Sequence, residues 1–512
     1  MYAGLHQLPP SLWALIVSFA LLPPAAAQTS LTLNNVLQLA NTSSSSSAPL
    51  LLSLPTASSL LSVSIALCAS ASSPGLSFFV TNSSTVSTPG PGVGTDVFQL
   101  DLGDDGVGNW TGVMTESGKL AVYSLATTDS MQIAASDNGP LFEHFNGSDP
   151  DTFPLFGDST SNQALLYSPP MGGRVTFADP TYPNYTLPSP QDPFSNASPP
   201  QTNYSYTLLL SPTAAGLPSR PQTACALTRA VNPRTNGTLA NRQWWLRDAA
   251  DGYRTEWLVN GLTPSTNYTM YTVLNGTKVA GPQYFVTKSG TFACPLVHSL
   301  PYCPSVSYAV PLPFPSRAAG GVYTSTSLPN EISSPLLSYL SNFTTSLTSF
   351  ACGRDLYSPL KSCADCRRAY QKWLCSVSFP RCGEYPSVNT TGFALPSSIA
   401  TQDSQAQATF RASIPTAALS AVPSGTTPRN SNLPVFNQSY YSLLPCLETC
   451  ADADRSCPYF IGFKCPAIQF NANESYGVGY VDGDVGGGEY RVRGGDPGVA
   501  QDVWGNVWCN MS

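Results

Sequence analysis

Short runs of alternating hydrophobic and polar residues recur along the first 290 residues, separated by clusters of Ser, Thr, Gly, Pro and Asn. The runs that predict strands are VFQLDLG, KLAVYSLAT, ALLYS, RVTFAD, YSYTLLLS, TMYTVLN and PQYFVT. Regular short strands with turn residues between them are typical of β-sandwiches rather than of α/β folds. The pattern therefore predicts a mostly β N-terminal half built from β-sandwich modules.

One long apolar segment needs a separate interpretation. Residues 48–68, APLLLSLPTASSLLSVSIALC, are uncharged and about as long as a membrane span. However, Pro49, Pro55 and several serines interrupt the segment, and LSVSIAL alternates as a strand does. We expect a buried pair of strands here, with a membrane helix as the alternative.

The segment GLTPSTNYTMYTVLNG, residues 261–276, resembles the corner between strands E and F of fibronectin type III domains. In that corner a tyrosine hydroxyl bonds back to the upstream backbone. Tyr268 would be this tyrosine, and Leu262 would pack in the core beneath it. The resemblance implies a fibronectin-III-like β-sandwich over residues 201–290. The strand pattern before it predicts a β-rich domain over residues 28–200, which is expected to be glycosylated.

Helical periodicity begins only after residue 290. In residues 335–350 the apolar residues recur at spacings of three and four, at Leu336, Leu340, Phe343, Leu347 and Phe350. This spacing predicts one apolar helix face, with Ser334 as N-cap and Pro335 at the first helical position. The second helical pattern, in CADCRRAYQKWLCSVSFPRC, residues 363–382, aligns Cys363, Cys366, Tyr370, Trp373 and Leu374. It predicts that Arg367, Arg368 and Lys372 point outward.

Two segments of the C-terminal half lack any periodicity. Residues 390–435 are rich in Ser, Thr, Ala and Pro, and residues 477–498 are rich in Gly. We expect a flexible insertion at 390–435 and an irregular tail. Residues 291–512 then form a cysteine-rich domain with an insertion.

The N-terminus predicts export. The apolar run SLWALIVSFALL is followed by PPAAAQ, which is typical of a signal peptide covering residues 1–27. An uncleaved anchor is the alternative. The glycosylation sequons N-x-[ST] support the export route, and those expected to carry N-glycans are Asn41, Asn82, Asn109, Asn146, Asn184, Asn196, Asn203, Asn236, Asn267, Asn275, Asn342, Asn389, Asn437 and Asn473.

Composition argues against one class of partner, and the cysteine content predicts disulfides. The net charge is −7 and only 10% of the residues are charged, which argues against a nucleic-acid partner. Thiols oxidise in the secretory pathway, so the 14 cysteines should form disulfides. They are Cys68, Cys225, Cys294, Cys303, Cys352, Cys363, Cys366, Cys375, Cys382, Cys446, Cys450, Cys457, Cys465 and Cys509.

The CxxC formed by Cys363 and Cys366 leaves two other chemistries open. With Cys446 and Cys450 it could hold zinc in a four-thiolate site. It could also be a redox pair, although that role usually needs a βαβ setting. The oxidising compartment and the low-complexity chain between the pairs favour disulfides over both, so no cofactor or metal is expected.

Other candidate chemistry is weak. FGDSTSN, residues 156–162, resembles the nucleophile block of GDSL-type esterases, but Ser159 lacks a histidine in the sequence context of that family. Asp452 and Asp454, and Asp482 with Asp484, could bind calcium, but the interpretation as solvated loop acids is favoured for both pairs. Arg367, Arg368, Lys372 and Arg381 form a basic cluster that is a candidate surface for docking an acidic partner, with a solvated helix face as the alternative.

The cysteine-rich half resembles fungal stretch-activated calcium channel regulatory subunits. The resemblance covers about 290–512 and lies in CPLVHSLPYCPSVSYAVPLP, ACGRDLYSPLKSCADCRRAYQKWLCSVSFPRC and CPYFIGFKCP followed by SYG. Members are also similar to the extracellular subunit of the animal sodium-leak channel and, more distantly, to frizzled-type domains. The resemblance implies an α-helical, disulfide-rich C-terminal domain, in which Tyr370, Trp373 and Pro380 would support the core.

The resemblance also implies a function. Such subunits are non-enzymatic and pair with a large four-repeat voltage-gated-type pore subunit, supporting calcium influx in stretch, stress and mating responses. This chain would then act at the extracellular face of the plasma membrane, and also in the endoplasmic reticulum. The rival hypothesis is a secreted cell-wall or adhesion glycoprotein whose β-sandwich binds carbohydrate or protein.

Overall fold

The structure is a computed structural model of the 512-residue chain. It describes residues 29–40, 48–57, 60–69, 76–125, 129–146, 152–172, 175, 187–195, 197–199, 204–231, 237–248, 252–315, 320–350, 357–384, 419–467, 470–477 and 509–511. The predicted signal peptide lies outside these residues, as do all of RVTFAD except Val175 and nearly all of the glycine-rich tail.

The first part of the chain is a β-sandwich. Its strands are β1 Thr29–Ser30, β2 Asn35–Ala40, β3 Leu50–Ser53, β4 Leu60–Leu67, β5 Ser77–Thr81, β6 Val97–Leu100, β7 Val107–Val113, β8 Lys119–Tyr123 and β9 Ser130–Ser136. The described strands form one sheet in the order β1-β3-β8-β5-β6 and a second in the order β2-β9-β4-β7. The two sheets enclose a common apolar core.

The long apolar segment at 48–68 forms strands, as predicted, but β3 and β4 do not pair with each other. They lie in opposite sheets of the sandwich. Leu61, Val63 and Ile65 of β4 point into the core between the sheets. Ser64, on the other face, is also buried, and its hydroxyl accepts a hydrogen bond from the Leu141 backbone N–H at 3.1 Å, which offsets the cost of burying it. Burial on both faces explains why this strand is so apolar.

A second sandwich follows. Its strands are β10 Glu143–Phe145, β11 Leu155–Ser159, β12 Gln163–Tyr167, β13 Tyr206–Pro212, β14 Thr238–Leu246, β15 Tyr253–Asn260, β16 Asn267–Leu274 and β17 Lys278–Val286. The described sheets have the orders β10-β17-β16-β13 and β11-β12-β15-β14. Three strands that precede residue 200 therefore complete these sheets, so the predicted boundary at residue 200 does not separate the two sandwiches.

The predicted tyrosine corner is present in the second sandwich. The backbone N–H of Thr263 donates to the Tyr268 hydroxyl at 3.0 Å. Tyr268 and Leu262 are both buried, and both belong to the core between the two sheets. The predicted contacts of these two residues are confirmed, whereas the fibronectin-III-like topology stays a prediction.

The sequence did not predict the short helix α1, Ala224–Ala230, which lies between β13 and β14. Its N-cap Thr223 accepts a hydrogen bond from the Ala226 N–H. Cys225 in α1 is bonded to Cys68, which follows β4 of the first sandwich. This disulfide ties the two sandwiches together.

Helices and disulfides characterise the C-terminal part, as predicted. Its elements are β18 Leu296–Val297, β19 Tyr308–Ala309, β20 Val322–Tyr323, α2 Asn330–Phe350, α3 Cys363–Ser378, β21 Arg381–Gly383, β22 Leu419–Val422, β23 Tyr440–Leu443, α4 Leu447–Ser456 and α5 Ala472–Ser475. The described strands form the sheets β19-β18-β20 and β21-β23-β22. The frizzled-like topology stays a prediction.

Helix α2 begins at Asn330, five residues before the predicted start, so the prediction of Ser334 as N-cap and Pro335 at the first position is wrong. The reason is the buried Ile332, which lies four residues before Leu336 and extends the same apolar face toward the N-terminus. Leu336, Leu340 and Leu347 are buried on that face, as predicted.

The predicted flexible insertion at 390–435 is wrong for its last part. Residues 419–422 form β22, which pairs with β23 in antiparallel register. Leu433 is buried in the core that α2 and α3 share. Apolar contacts outside the segment therefore order a stretch whose own composition shows no period. Residues 390–418 lie outside the described residues.

Within the described residues, no helix combines the length and the apolar character that a membrane crossing requires.

The tyrosine corner can be tested with Tyr268→Phe, which removes only the hydroxyl that accepts from Thr263. We expect the free energy of unfolding to fall by about 1 kcal/mol, because a partly buried N–H loses its acceptor. Urea denaturation measures the change. Tyr204→Phe, at a tyrosine that is 48% exposed, is the matched control and should be neutral. Equal stability of both variants would contradict the corner.

Candidate functional site

Helix α3 lies at the centre of the cysteine-rich part, and its start is defined locally. Ser362 is the N-cap, and its hydroxyl accepts a hydrogen bond from the Asp365 N–H at 3.2 Å. The Asp365 carboxylate in turn accepts from the Ser362 N–H at 2.9 Å. This capping box satisfies two backbone donors and places Cys363 and Cys366 in the first turns of the helix.

Disulfides connect α3 and the residues that follow it to distant segments. Cys366 is bonded to Cys457 at the end of α4, and the two Cα atoms are 4.5 Å apart. Cys375 is bonded to Cys303, with Cα atoms 5.7 Å apart. Cys382 in β21 is bonded to Cys294. These Cα separations are normal for disulfides, so the bonds fix α3 against two other parts of the chain and β21 against a third.

The remaining cysteines decide between the chemistries that the sequence left open. Cys446 is bonded to Cys509 and Cys450 to Cys465, so the four thiolates of the hypothetical zinc site are all in disulfides. Cys363 is also disulfide-bonded, and no cysteine among the described residues is free. Cys352 lies outside the described residues. The ten cysteines from 352 onward do not pair only among themselves, because Cys375 and Cys382 bond to earlier residues.

Aromatic rings fill the space between α2, α3 and the segment after α4. Tyr370 stacks on Phe343 of α2 with ring centroids 3.6 Å apart. Trp373 meets Phe463 edge-on at 4.8 Å, and its indole N–H donates to the Tyr476 hydroxyl at 2.9 Å. Tyr370 and Trp373 thus support the core of this module, as the resemblance implied.

The predicted outward basic cluster is only half correct. Arg367 is 4% exposed and donates to the Ser189 carbonyl at 3.0 Å, and burial lowers its pKa to about 10. Arg381 is 6% exposed. Neither can present its charge to a partner, because α3 and β21 pack against other elements on these sides as well. Arg368 and Lys372 keep 43% and 29% of their side-chain surface exposed.

Arg381 instead forms a buried ion pair with Asp158 of β11. Its Nε donates to Asp158 Oδ2 at 2.9 Å, and its guanidinium also donates to the Gly157 carbonyl. Lys288 lies 3.8 Å from the same carboxylate. Burial alone would raise the pKa of Asp158, but the charges of Arg381 and Lys288 outweigh it and hold the pKa below its usual value. This pair joins the second sandwich to the cysteine-rich part.

A second buried polar network was not predicted. His298 Nδ1 lies 3.0 Å from Glu256 Oε1, and the Tyr167 hydroxyl donates to Glu256 Oε2 at 2.7 Å. Burial tends to raise the pKa of Glu256, yet these hydrogen bonds and His298 lower it overall. Glu256 lies 42 residues from His298 and 89 residues from Tyr167 in the sequence. No local motif could have revealed them.

Three of the weaker candidates for catalysis or calcium binding have structural roles: Ser159, Asp452 and Asp454. Ser159 is buried, and its hydroxyl donates to the Val286 carbonyl at 2.8 Å. Asp452 and Asp454 lie in helix α4 rather than in the predicted loop. Asp454 accepts from Lys464 at 3.2 Å, and Asp452 lies 3.9 Å from Lys361. Cations therefore face both carboxylates. Asp482 and Asp484 lie outside the described residues.

Several predicted glycosylation sites can be located. Exposed positions are Asn109, Asn146, Asn275, Asn342 and Asn437, and half-buried positions are Asn82 and Asn267. Asn473 lies in α5. Asn510, in a further N-x-[ST] sequon close to the C-terminus, is buried and donates to the Tyr308 hydroxyl at 3.0 Å. The other sites lie outside the described residues, and glycosylation itself stays a prediction.

Comparison with known proteins assigns a family. A model of the Mid1 family, described as a stretch-activated Ca²⁺-permeable channel component, matches residues 60–489. The chain belongs to the Mid1 family. The match includes the first sandwich from β4 onward and the whole second sandwich, so it extends well beyond the cysteine-rich half that showed the resemblance. Mid1 proteins are channel components rather than enzymes, in agreement with the predicted lack of catalysis.

Curated relatives are named as stretch-activated cation channels. The chain is 36% identical over 434 residues to the stretch-activated cation channel MID1 of Cryptococcus neoformans var. grubii, covering 80% of this chain and 65% of the relative. It is 29% identical over 333 residues to MID1 of Saccharomyces cerevisiae, covering 60% and 53%. It is 27% identical over 260 residues to yam8 of Schizosaccharomyces pombe, covering 48% and 46%. The chain thus spans about half to two thirds of these relatives.

The Asp158–Arg381 pair of this Mid1 protein predicts a pH dependence. Because the folded state lowers the pKa of Asp158, the pair stabilises the protein above the unfolded value of about 3.9, and this stability is lost as the pH falls through the lower folded value. We expect Asp158→Asn to cost about 3–5 kcal/mol at pH 7, since Arg381 stays buried without its counter-charge.

Urea unfolding at pH 7 and pH 3 measures the stability lost through Asp158→Asn and the stability lost on acidification. The loss of stability on acidification should be smaller in Asp158→Asn than in the unmodified protein. Asp104→Asn, at an exposed carboxylate, is the control and should leave both values unchanged. An Asp158→Asn variant with unaltered stability and acid sensitivity would show that the pair does not join the two parts.

Proposed function

We propose that this chain is a non-enzymatic auxiliary subunit of a plasma-membrane calcium channel. It docks from the extracellular side on a pore-forming subunit of the four-repeat voltage-gated type and supports calcium influx during stretch, stress and mating responses. One observation carries the proposal: disulfides fix α3 against two separate segments and the following strand β21 against a third, and so preform a rigid module. Membership of the Mid1 family supports the link to a channel.

A preformed module suits docking for a thermodynamic reason. Ordering loops and side chains on binding loses conformational entropy and so opposes association. Covalent cross-links already order the module when it folds, so binding does not have to supply that free energy. The module regulates gating if it binds one conformation of the pore more tightly than the other. Equal binding to both conformations would restrict its role to assembly and trafficking.

The oxidised cysteines also support the site of action. Disulfides form and persist in oxidising compartments, which fits the secretory pathway and the outer face of the plasma membrane. The exposed sequons would carry N-glycans on that route, after removal of the predicted signal peptide. The endoplasmic reticulum is a second location in this proposal.

The role of the module can be tested by replacing Cys366 and Cys457 with Ser together. Their disulfide has a sequence separation of 91 residues, and its loss should destabilise the module by about 2–5 kcal/mol. We expect both calcium influx and recovery of the complex to fall several-fold when this variant is coexpressed with the pore subunit. The matched control is Cys68→Ser with Cys225→Ser, which removes a disulfide outside the module.

Copurification from native membranes distinguishes a channel subunit from a secreted cell-wall or adhesion glycoprotein. We expect the intact chain to bring down a large multi-span channel protein in stoichiometric amount. Retention on cell-wall glycan with no such protein in the complex would instead support an adhesion glycoprotein. Normal influx in the Cys366/Cys457 variant would remove the module from the explanation.

A further inference from the structure

A small basic depression lies where α3 approaches the end of β14. Arg247, Asp248, Arg368, Gln371 and Lys372 contribute to its lining, and the depression encloses about 20 Å³. Pockets for whole small-molecule ligands usually have roughly 300–1,000 Å³, whereas one water molecule needs roughly 10–15 Å³. The depression therefore has room for one small polar group and not for an oligosaccharide or a lipid.

The walls of this depression are fixed before any partner arrives. Gln371 donates from its amide to the Tyr302 carbonyl at 2.6 Å. Cys375 also lines the depression, and its disulfide to Cys303 joins α3 to the opposite wall. Because these contacts already order Gln371 and the wall around Cys375, binding of a group costs little further ordering there.

The charges around the depression do not balance. Lys372 pairs with Asp248, and Arg368 pairs with Asp365. These two pairs leave Arg247 as the excess positive charge among the described groups. The excess is notable in a chain that carries a net charge of −7 and only 23 Lys and Arg in 512 residues.

Arg247 is positioned by two contacts that leave part of its guanidinium unused. Its Nη2 donates to the Ser305 carbonyl at 3.0 Å, and its guanidinium lies 4.7 Å from the centre of the Tyr167 ring. Its Nη1 is buried and has no hydrogen-bond partner among the described residues. Buried hydrogen-bond donors nearly always have an acceptor, so we expect this nitrogen to bind one.

We propose that the depression receives the carboxylate of an aspartate or glutamate on an extracellular loop of the pore-forming subunit. Arg247 supplies the hydrogen-bond donor and the uncompensated charge, and Arg368 and Lys372 form the rim. A single carboxylate matches both the size of the depression and its one excess charge. The inference rests on the proposed docking function and assigns that function a specific contact.

The experiment measures the affinity of the purified chain for the purified pore subunit at 50 and 300 mM salt. Arg247→Gln should weaken binding about tenfold or more at low salt and reduce its salt dependence. Asp248→Asn should strengthen binding, because it removes a competing negative charge from the depression. Arg220→Gln, at an exposed arginine elsewhere, is the matched control and should bind like the unmodified chain.

Weaker binding of Arg247→Gln together with stronger binding of Asp248→Asn supports the inference. A mere structural disturbance of the depression would instead weaken binding in both variants. If Arg247→Gln is not secreted, Arg368→Gln takes its place beside Asp248→Asn. Equal affinity of all variants, with the unmodified chain still bound, overturns the carboxylate contact and leaves the docking function standing. Failure of the unmodified chain to bind the pore subunit overturns both.

Discussion

The position of α3 depends on disulfides, and the rest of the cysteine-rich part depends on α3. Cys366 and Cys375 bond it to the end of α4 and to the segment after β18, while Cys382 holds the strand that follows. The neighbouring elements are short, and β18, β19 and β20 contain two residues each. Elements of this size bury little apolar surface by themselves, so covalent links stabilise an arrangement that packing alone would leave marginal.

The chain terminus depends on the same helix. The Asn510 amide donates to the carbonyls of Ser376 and Phe379 at the end of α3, each at 3.2 Å. The neighbouring Cys509 is bonded to Cys446, directly before α4. Backbone carbonyls at a helix end need external donors, and Asn510 provides them from a residue more than 130 positions away. Segments distant in sequence thereby complete the module.

Buried charges determine how this module meets the second sandwich. Asp158 comes from β11, whereas Arg381 comes from β21, 223 residues later. Such a pair adds little net stability compared with apolar packing, but breaking it is costly because one charge then stays buried alone. The interface therefore favours the one relative position of the two parts in which Asp158 meets Arg381. The same relative position places Arg247, at the end of β14, beside the exposed side chains of α3.

Local patterns were sufficient for some elements of this protein, and more than half of its described strands were not predicted. Alternation predicted β4 and β12, spacing of three and four predicted α2 and α3, and the oxidising compartment predicted disulfides for the CxxC. A tyrosine corner was visible because all of its residues lie within a few positions of Tyr268. These features depend on near neighbours, which a single sequence contains.

Only the tertiary structure decided which distant segments meet. Helical periodicity assumes one buried face, yet α3 is covered on a second side, so Arg367 turned out to be buried. The strands at 143–167 joined the second sandwich, and Cys375 paired with Cys303 rather than within its own cluster. Pairing across tens of residues depends on how whole sheets and helices pack. The periodicity of one segment reports only its own faces and contains no information about that packing.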